Sequence, residues 1–170
     1  FVLVVAYGLI LSDEVLSLSK IGFFNVHASI LPRWRGAAPI QRALLANDNL
    51  IGVSIIKLAT NLDAGPIVLK KHLKIEATDN LGSLYEKLSL IGADLTSQLY
   101  NNIHNLNFVI QDSQGVTYAR KIEKFETQIE WDAEADEVDK QIRAFAPKPG
   151  AWFDLRGERI KILKCRISNG

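Results

Sequence analysis

The stretch Ile21-Gly22-Phe23-Phe24-Asn25-Val26-His27-Ala28-Ser29-Ile30-Leu31-Pro32-Arg33-Trp34-Arg35-Gly36 decides how this chain is read. It begins with a short apolar run of the kind that makes a buried strand and ends in a polar loop closed by Pro and Gly. Reactive groups are therefore expected where a strand ends. Residues two apart on a strand share a face, so Asn25 and His27 should present an amide and an imidazole side by side. Two donors aimed at one spot suit acyl or formyl transfer, in which a carbonyl oxygen gains negative charge that preorganised N–H groups stabilise. A carboxylate is the natural third member, because it fixes the imidazole tautomer and stabilises imidazolium. Asp63 is the best candidate. It lies in the turn-rich Asn61-Leu62-Asp63-Ala64-Gly65-Pro66, directly after the strand-like Gly52-Val53-Ser54-Ile55-Ile56-Lys57-Leu58. If the two strands are neighbours, Asp63 and His27 can meet.

Upstream, Phe1-Val2-Leu3-Val4-Val5-Ala6 reads as a strand buried on both faces, as in a parallel sheet. Tyr7-Gly8 turns the chain, and Ser12 with Asp13 and Glu14 behind it reads as a capped helix start. With the strand at 22–27 this makes a β-α-β unit. Downstream, Pro39 opens a helix to about Asn47, and strands follow at 51–58 and 67–75, joined by the Asp63 loop as a hairpin. Thr78 or Asp79 should cap a long helix whose apolar stripe runs from Leu81 through Leu88 and Leu95 to Ile103. A second helix is expected at 133–145 behind Asp132. Ala146-Pro147-Lys148-Pro149-Gly150 is the clearest linker, and beyond it Ala151–Leu155 and Ile160–Leu163 flank Arg156-Gly157-Glu158 as a β-hairpin. The fold class is therefore α/β, with a right-handed, mainly parallel sheet and reactive loops at strand C-terminal ends. A domain boundary near residue 147 divides the chain into 1–146 and 147–170.

A composition of 48% hydrophobic and 23% charged residues over 170 positions is that of a soluble globular protein, either one domain or one domain with part of another. The single cysteine, Cys165, excludes an intrachain disulfide and a thiolate metal cluster, which is compatible with a reducing cytoplasm. No apolar run is long enough for a membrane span, and no signal peptide is visible. The three histidines are scattered, so no metal is expected, and His72 and His104 read as structural or solvent-facing. The glycines form neither Gly-x-Gly-x-x-Gly nor a P-loop, which leaves nicotinamide and nucleoside triphosphate binding without a motif. Net charge is only +1, but residues 140–170 carry eight Lys and Arg against Asp154 and Glu158, a local +6. That asymmetry points towards contact with a polyanion. The chain contains no Met, begins in an apolar strand and stops in an unfinished β pattern, so a piece of a longer protein is expected.

Asn25-Val26-His27-Ala28-Ser29-Ile30-Leu31-Pro32, followed by Arg33-Trp34-Arg35-Gly36-Ala37-Ala38-Pro39-Ile40-Gln41-Arg42 and then Leu62-Asp63-Ala64-Gly65-Pro66, resembles the methionyl-tRNA formyltransferases. Departures are mild: Ile30 stands where Leu is usual and Ala28 where Gly is frequent. The resemblance implies a Rossmann-like formyltransferase domain followed by the start of a small, OB-like β-barrel. It implies a catalytic trio of Asn25, His27 and Asp63, and folate contacts at Ser29, Ile30, Leu31, Pro32, Tyr7 and Gly8. Arg33, Arg35 and Arg42 are then candidate tRNA contacts, since cations beside a reactive loop can meet phosphate. The implied reaction moves a formyl group from 10-formyltetrahydrofolate to the α-amine of initiator methionyl-tRNA, in a cytoplasmic, monomeric enzyme without metal. Sugar-nucleotide and glycinamide ribonucleotide N-formyltransferases share parts of the pattern. A non-catalytic tRNA-binding remnant is the remaining alternative.

Overall fold

The computed structural model describes residues 1–167. In chain order its elements are β1 (Val2–Val5), α1 (Asp13–Leu16), β2 (Phe23–His27), β3 (Arg35–Gly36), α2 (Pro39–Leu45), β4 (Leu50–Lys57), β5 (Ile67–Lys74), α3 (Leu81–Asn101), β6 (Tyr118–Ala119), α4 (Ala135–Phe145), β7 (Ala151–Leu155) and β8 (Glu158–Ile162). Local chemistry sets most boundaries as expected. Ser12 caps α1 by accepting from the Val15 N–H, and Pro39 opens α2, where its missing N–H and fixed φ fit the first turn. The cap of α3 is Asn80, not Thr78 or Asp79. Its side chain accepts from Ser83 N–H while the Ser83 hydroxyl accepts from the Asn80 N–H, a reciprocal capping box. Asp132 does not cap α4 either; Glu134 holds that position without a side-chain bond.

The main sheet runs in the order β1-β2-β4-β5. β1 and β2 pair in parallel, in register from Val2–Phe23 to Val5–Val26, as the β-α-β reading requires. β2–β4 and β4–β5 are antiparallel, so the expected mainly parallel sheet is, among the described residues, a mixed one. For the β4–β5 pair the reason is the Asp63 loop. A nine-residue connection reverses the chain and returns it as a hairpin, whereas a parallel return needs a long crossover. β1 also departs from expectation, since Val2 and Val5 are exposed and, among the described residues, the strand pairs with β2 on one side only.

β4 is buried on both faces, and its alternation separates two apolar clusters. Ile51, Val53 and Ile55 join Phe24 and the α3 leucines Leu84, Leu88, Leu95 and Leu99, with Ile142 and Phe145 of α4 closing the same core. Ile56 points the other way and packs with Leu31 and Ile67 beneath the loop that follows β2. β7 and β8 form the expected hairpin around the two-residue turn Arg156-Gly157, both at positive φ, the geometry that matches strand twist. Among the described residues β7 and β8 form a two-stranded sheet of their own, which does not by itself establish the expected OB-like barrel. Residues 168–170 lie outside them.

Asp79, buried at the start of α3, accepts from the Glu76 N–H at 3.0 Å, the Ser83 hydroxyl at 2.7 Å and Lys87 Nζ at 2.6 and 2.9 Å. Burial pushes its carboxyl up, but the bonds from Lys87, Ser83 and Glu76 outweigh burial and hold it below the ordinary carboxylate range. Its stabilising contribution is thus complete above the ordinary carboxylate value and is lost as pH falls through the lower folded value. Asp79→Asn should destabilise the fold by about 1–3 kcal/mol at neutral pH and flatten the acid limb of the stability curve. Denaturant titrations at several pH values check this. An unchanged acid limb would contradict the role given to Asp79.

Candidate active site

The parallel register of β1 and β2 brings their C-terminal ends together, so the turn after β1 and the residues closing β2 open onto one cleft of about 840 Å³. Asn25 and His27 line it from β2, Tyr7 and Gly8 from the turn after β1, and Asp63 from the β4–β5 loop. Leu88 and Gly92 of α3 supply part of an apolar wall. The expected meeting of Asn25, His27 and Asp63 across neighbouring strands therefore occurs.

Asp63 is the hub. Its Oδ1 accepts from Asn25 Nδ2 at 3.3 Å, its Oδ2 accepts from the Gly36 N–H at 2.8 Å, and Oδ2 lies 3.5 Å from His27 Nδ1. His27 is 5% exposed, and its Nε2 lies 2.8 Å from the Trp34 carbonyl. A carbonyl can only accept, so Nε2 carries a proton, and both ring nitrogens face acceptors. Asn25 Nδ2 has one N–H on Asp63 and a second uncommitted. The imidazole is thus held more tightly than the sequence suggests, with the open donor on Asn25.

The backbone around the trio is strained where it must be. Asp63 and Trp34 adopt positive φ, at 46° and 64°, conformations that non-glycine residues adopt at an energetic cost. Gly36, at φ 116°, comes so close to β6 that a Cβ would lie 2.8 Å from the Ala119 carbonyl oxygen. At Gly65 an added Cβ would meet the Lys57 carbonyl oxygen at 1.8 Å. No larger residue fits either turn without backbone movement.

Ser29, Ile30, Leu31 and Pro32 do not line this cleft. The Ser29 hydroxyl donates to the Arg33 carbonyl at 2.6 Å, and Ser54 donates to the Ser29 carbonyl while accepting from the Leu31 N–H. Leu31 is core. These residues set the shape of the loop after His27. Arg33 binds Asp48 through Nε and Nη2 at 2.8 and 2.7 Å and stacks on Trp34, whose indole N–H also donates to Asp48. The Asp48 hydrogen bond raises the Arg33 guanidinium further above its ordinary value. Arg42 grips Glu126 at 2.5 and 3.0 Å, and that bond holds the Glu126 carboxyl below the usual range against the effect of burial. Arg35 donates twice to Gln111 Oε1, at 3.1 and 2.7 Å. Each of the three arginines thus has an intramolecular partner.

Gln111, Asp48 and Ser54 are site-shaping residues that sequence reasoning did not single out. Ser54 carried a signal, a lone hydroxyl within an otherwise apolar buried strand. Asp48 lies just past the end expected for the helix from Pro39, and Gln111 follows Phe108-Val109-Ile110 at the start of a polar stretch without a motif. His72 and His104 are exposed, as expected. Among the described residues no three His, Cys, Asp or Glu side chains are grouped to hold a metal, and no helix is long and apolar enough to cross a membrane.

Comparison with known proteins gives the same direction. The family model described as Formyl transferase matches residues 1–99, and that described as Formyl transferase, C-terminal domain, matches residues 121–170. A methionyl-tRNA formyltransferase of Ruegeria pomeroyi is 45% identical over 167 residues, covering 98% of this chain and 56% of that protein. The chain thus spans little more than half the length of such curated relatives. Among solved structures, HypX from Aquifex aeolicus in complex with tetrahydrofolic acid superimposes with a TM-score of 0.82 at 15% identity, covering 95% of this chain and 28% of that one. A 4-N formyltransferase from Francisella tularensis gives 0.81 at 18% identity, covering 94% and 68%. These two share the fold, and the family model, which covers more than half of the sequence, shows that the chain belongs to the formyl transferase family.

Proposed function

We propose that the protein carrying this chain transfers a formyl group from 10-formyltetrahydrofolate to the α-amine of initiator methionyl-tRNA. The observation that carries the reading is the convergence of the Asn25 amide, the His27 ring and the Asp63 carboxylate on one cleft. The cleft's volume and apolar wall fit a pterin, and a fold neighbour was solved with tetrahydrofolic acid. Relatives at 45% identity that bear the methionyl-tRNA formyltransferase name support the choice of acceptor.

The chemistry is direct attack, with the acceptor amine as nucleophile. The hydroxyls near His27 are engaged in shaping its loop: Ser29 donates to the Arg33 carbonyl and Ser54 to the Ser29 carbonyl. The sole cysteine bonds Asp139. When bound, the folate supplies the formyl carbon. Asn25 presents its uncommitted N–H to the carbonyl oxygen as that oxygen gains charge. His27, fixed between the Trp34 carbonyl and Asp63, holds the Asp63 carboxylate beside the Asn25 amide, so that the open donor stays aimed at that oxygen. As the amine nitrogen bonds the formyl carbon, Asp63 takes up the amine proton, directly or through water; the bond from that carbon to folate N10 then breaks, and N10 would receive the proton and leave as tetrahydrofolate.

Incubation of the protein, as its native cell makes it, with 10-formyltetrahydrofolate and competing acceptors tests the function. Formylated methionyl-tRNA is expected. Formylation of a sugar nucleotide or of glycinamide ribonucleotide instead would replace the acceptor, and folate binding without transfer would mark a remnant. Asn25→Ala should lower turnover by about 10²–10³-fold, the usual cost of losing one oxyanion donor, with folate binding retained. Asp63→Asn keeps the shape but not the charge; full activity in that variant would reduce Asp63 to a turn residue. The exposed Lys148, Arg156, Lys161, Lys164 and Arg166 fit a phosphate backbone. Affinity for tRNA should therefore fall steeply as salt is added, and a salt-independent affinity would contradict that contact.

A further inference from the structure

We propose that Arg35 and Gln111 act as one positioning unit for Asp63, and that the run Trp34-Arg35-Gly36 is the clamp holding the Asp63–His27 pair; the proposal rests on the formyl-transfer reading of that site. Three successive residues each reach the site by a different route. The Trp34 carbonyl accepts from His27 Nε2 at 2.8 Å. The Gly36 N–H donates to Asp63 Oδ2 at 2.8 Å. Between them, the Arg35 fork donates to Gln111 Oε1 at 3.1 and 2.7 Å, and Gln111 Nε2 passes the connection on to the carbonyls of Asp63 at 2.7 Å and Gly65 at 2.8 Å.

The orientation of the Gln111 amide is unambiguous. A guanidinium offers donors only and a backbone carbonyl accepts only, so the oxygen must face Arg35 and the NH₂ must face the loop. Both amide protons are used, one on each side of the Asp63-Ala64-Gly65 turn. That turn needs holding, because Asp63 sits at φ 46°, a conformation that persists only when its surroundings over-determine it. Gln111 supplies what the turn's own backbone does not. Among the described residues no other donor pairs with the Asp63 carbonyl.

Arg35 is thereby accounted for without tRNA. Its Nε and one Nη point inward at an amide oxygen, and the residue is half-buried beside β6, where the Arg35 N–H also donates to the Thr117 carbonyl. A phosphate contact needs the fork turned outward. Arg35 and Gln111 are positioning residues in this account, because neither lines the cleft.

The test compares Gln111→Ala, Arg35→Ala and the double variant, with Arg35→Lys as a milder change that keeps the charge but loses the fork. Two readouts are taken. The first is kcat and KM for methionyl-tRNA. The second, made on the free protein, is the ring ¹⁵N spectrum of its three histidines at one pH. The expected result is a kcat lowered about 10–100-fold in Gln111→Ala and Arg35→Ala, the scale of a small misplacement of a catalytic group. KM for tRNA should stay within about twofold, and the double variant should be no worse than the worse single, as for two members of one network. The His27 ring signals should move in each variant while those of His72 and His104 stay in place, which also shows that the fold is intact. A raised KM with kcat retained in Arg35→Ala, multiplying effects in the double variant, or unmoved His27 signals would each overturn the proposal. If the wild-type protein transfers no formyl group to methionyl-tRNA, the function reading fails, and the histidine spectra alone decide whether the clamp exists.

Discussion

A carboxylate drawn largely out of water must be surrounded by donors or lose its charge, and in this protein that carboxylate is Asp63. Its side chain is 10% exposed, and it collects the Asn25 amide and the His27 ring edge from β2 and the Gly36 N–H from β3. Asn25 and His27 tie Asp63 to the central strand β2, Gly36 ties it to the short β3–β6 ladder, and Gln111 holds its backbone. The geometry of the site is a consequence of satisfying one buried charge. The same demand explains the positive φ at Asp63, since an ordinary turn conformation would not deliver the carboxylate to all three donors.

The strands explain why this happens where it does. β4 is buried on both faces because helices cover one and the loop after His27 covers the other. The polar member of that strand, Ser54, uses its hydroxyl to hold the covering loop at both the Ser29 carbonyl and the Leu31 N–H. Packing and polar satisfaction thus act together on one segment. The loop that carries Trp34, Arg35 and Gly36 is positioned by the core below it and by Asp48 above it, where Arg33 and the Trp34 indole converge.

Much of this was legible from residue types and spacing. The apolar run before Asn25, the two-residue step to His27 and the Asp-x-Gly-Pro turn give the trio its members, because strand alternation and turn chemistry are local rules. Pro39, Ser12 and the Arg156-Gly157 turn behave as their local chemistry dictates. What escaped were the relations between distant segments. Gln111 lies 48 positions from Asp63 and has no periodic or motif signal to mark it. The antiparallel return of β4 and β5 follows from how the Asp63 loop folds back, which composition alone does not specify. Asn80 rather than Thr78 or Asp79 caps α3, because the Asp79 carboxylate is turned to the Ser83 hydroxyl and Lys87 instead. The sequence also gives no sign that Arg33, Arg35 and Arg42 serve the fold through Asp48, Gln111 and Glu126, 15 to 84 positions away in sequence.

The central claim is that the cleft beside Asp63 is where a formyl group is activated. A crystal structure of the protein with 5-formyltetrahydrofolate, a stable formyl-bearing folate, tests it most directly. The account predicts the folate ring system in the cleft lined by Tyr7 and Leu88, with the formyl group at the Asn25 end beside His27 and Asp63. A folate bound elsewhere, or bound with its formyl group turned away from Asn25, would contradict the account.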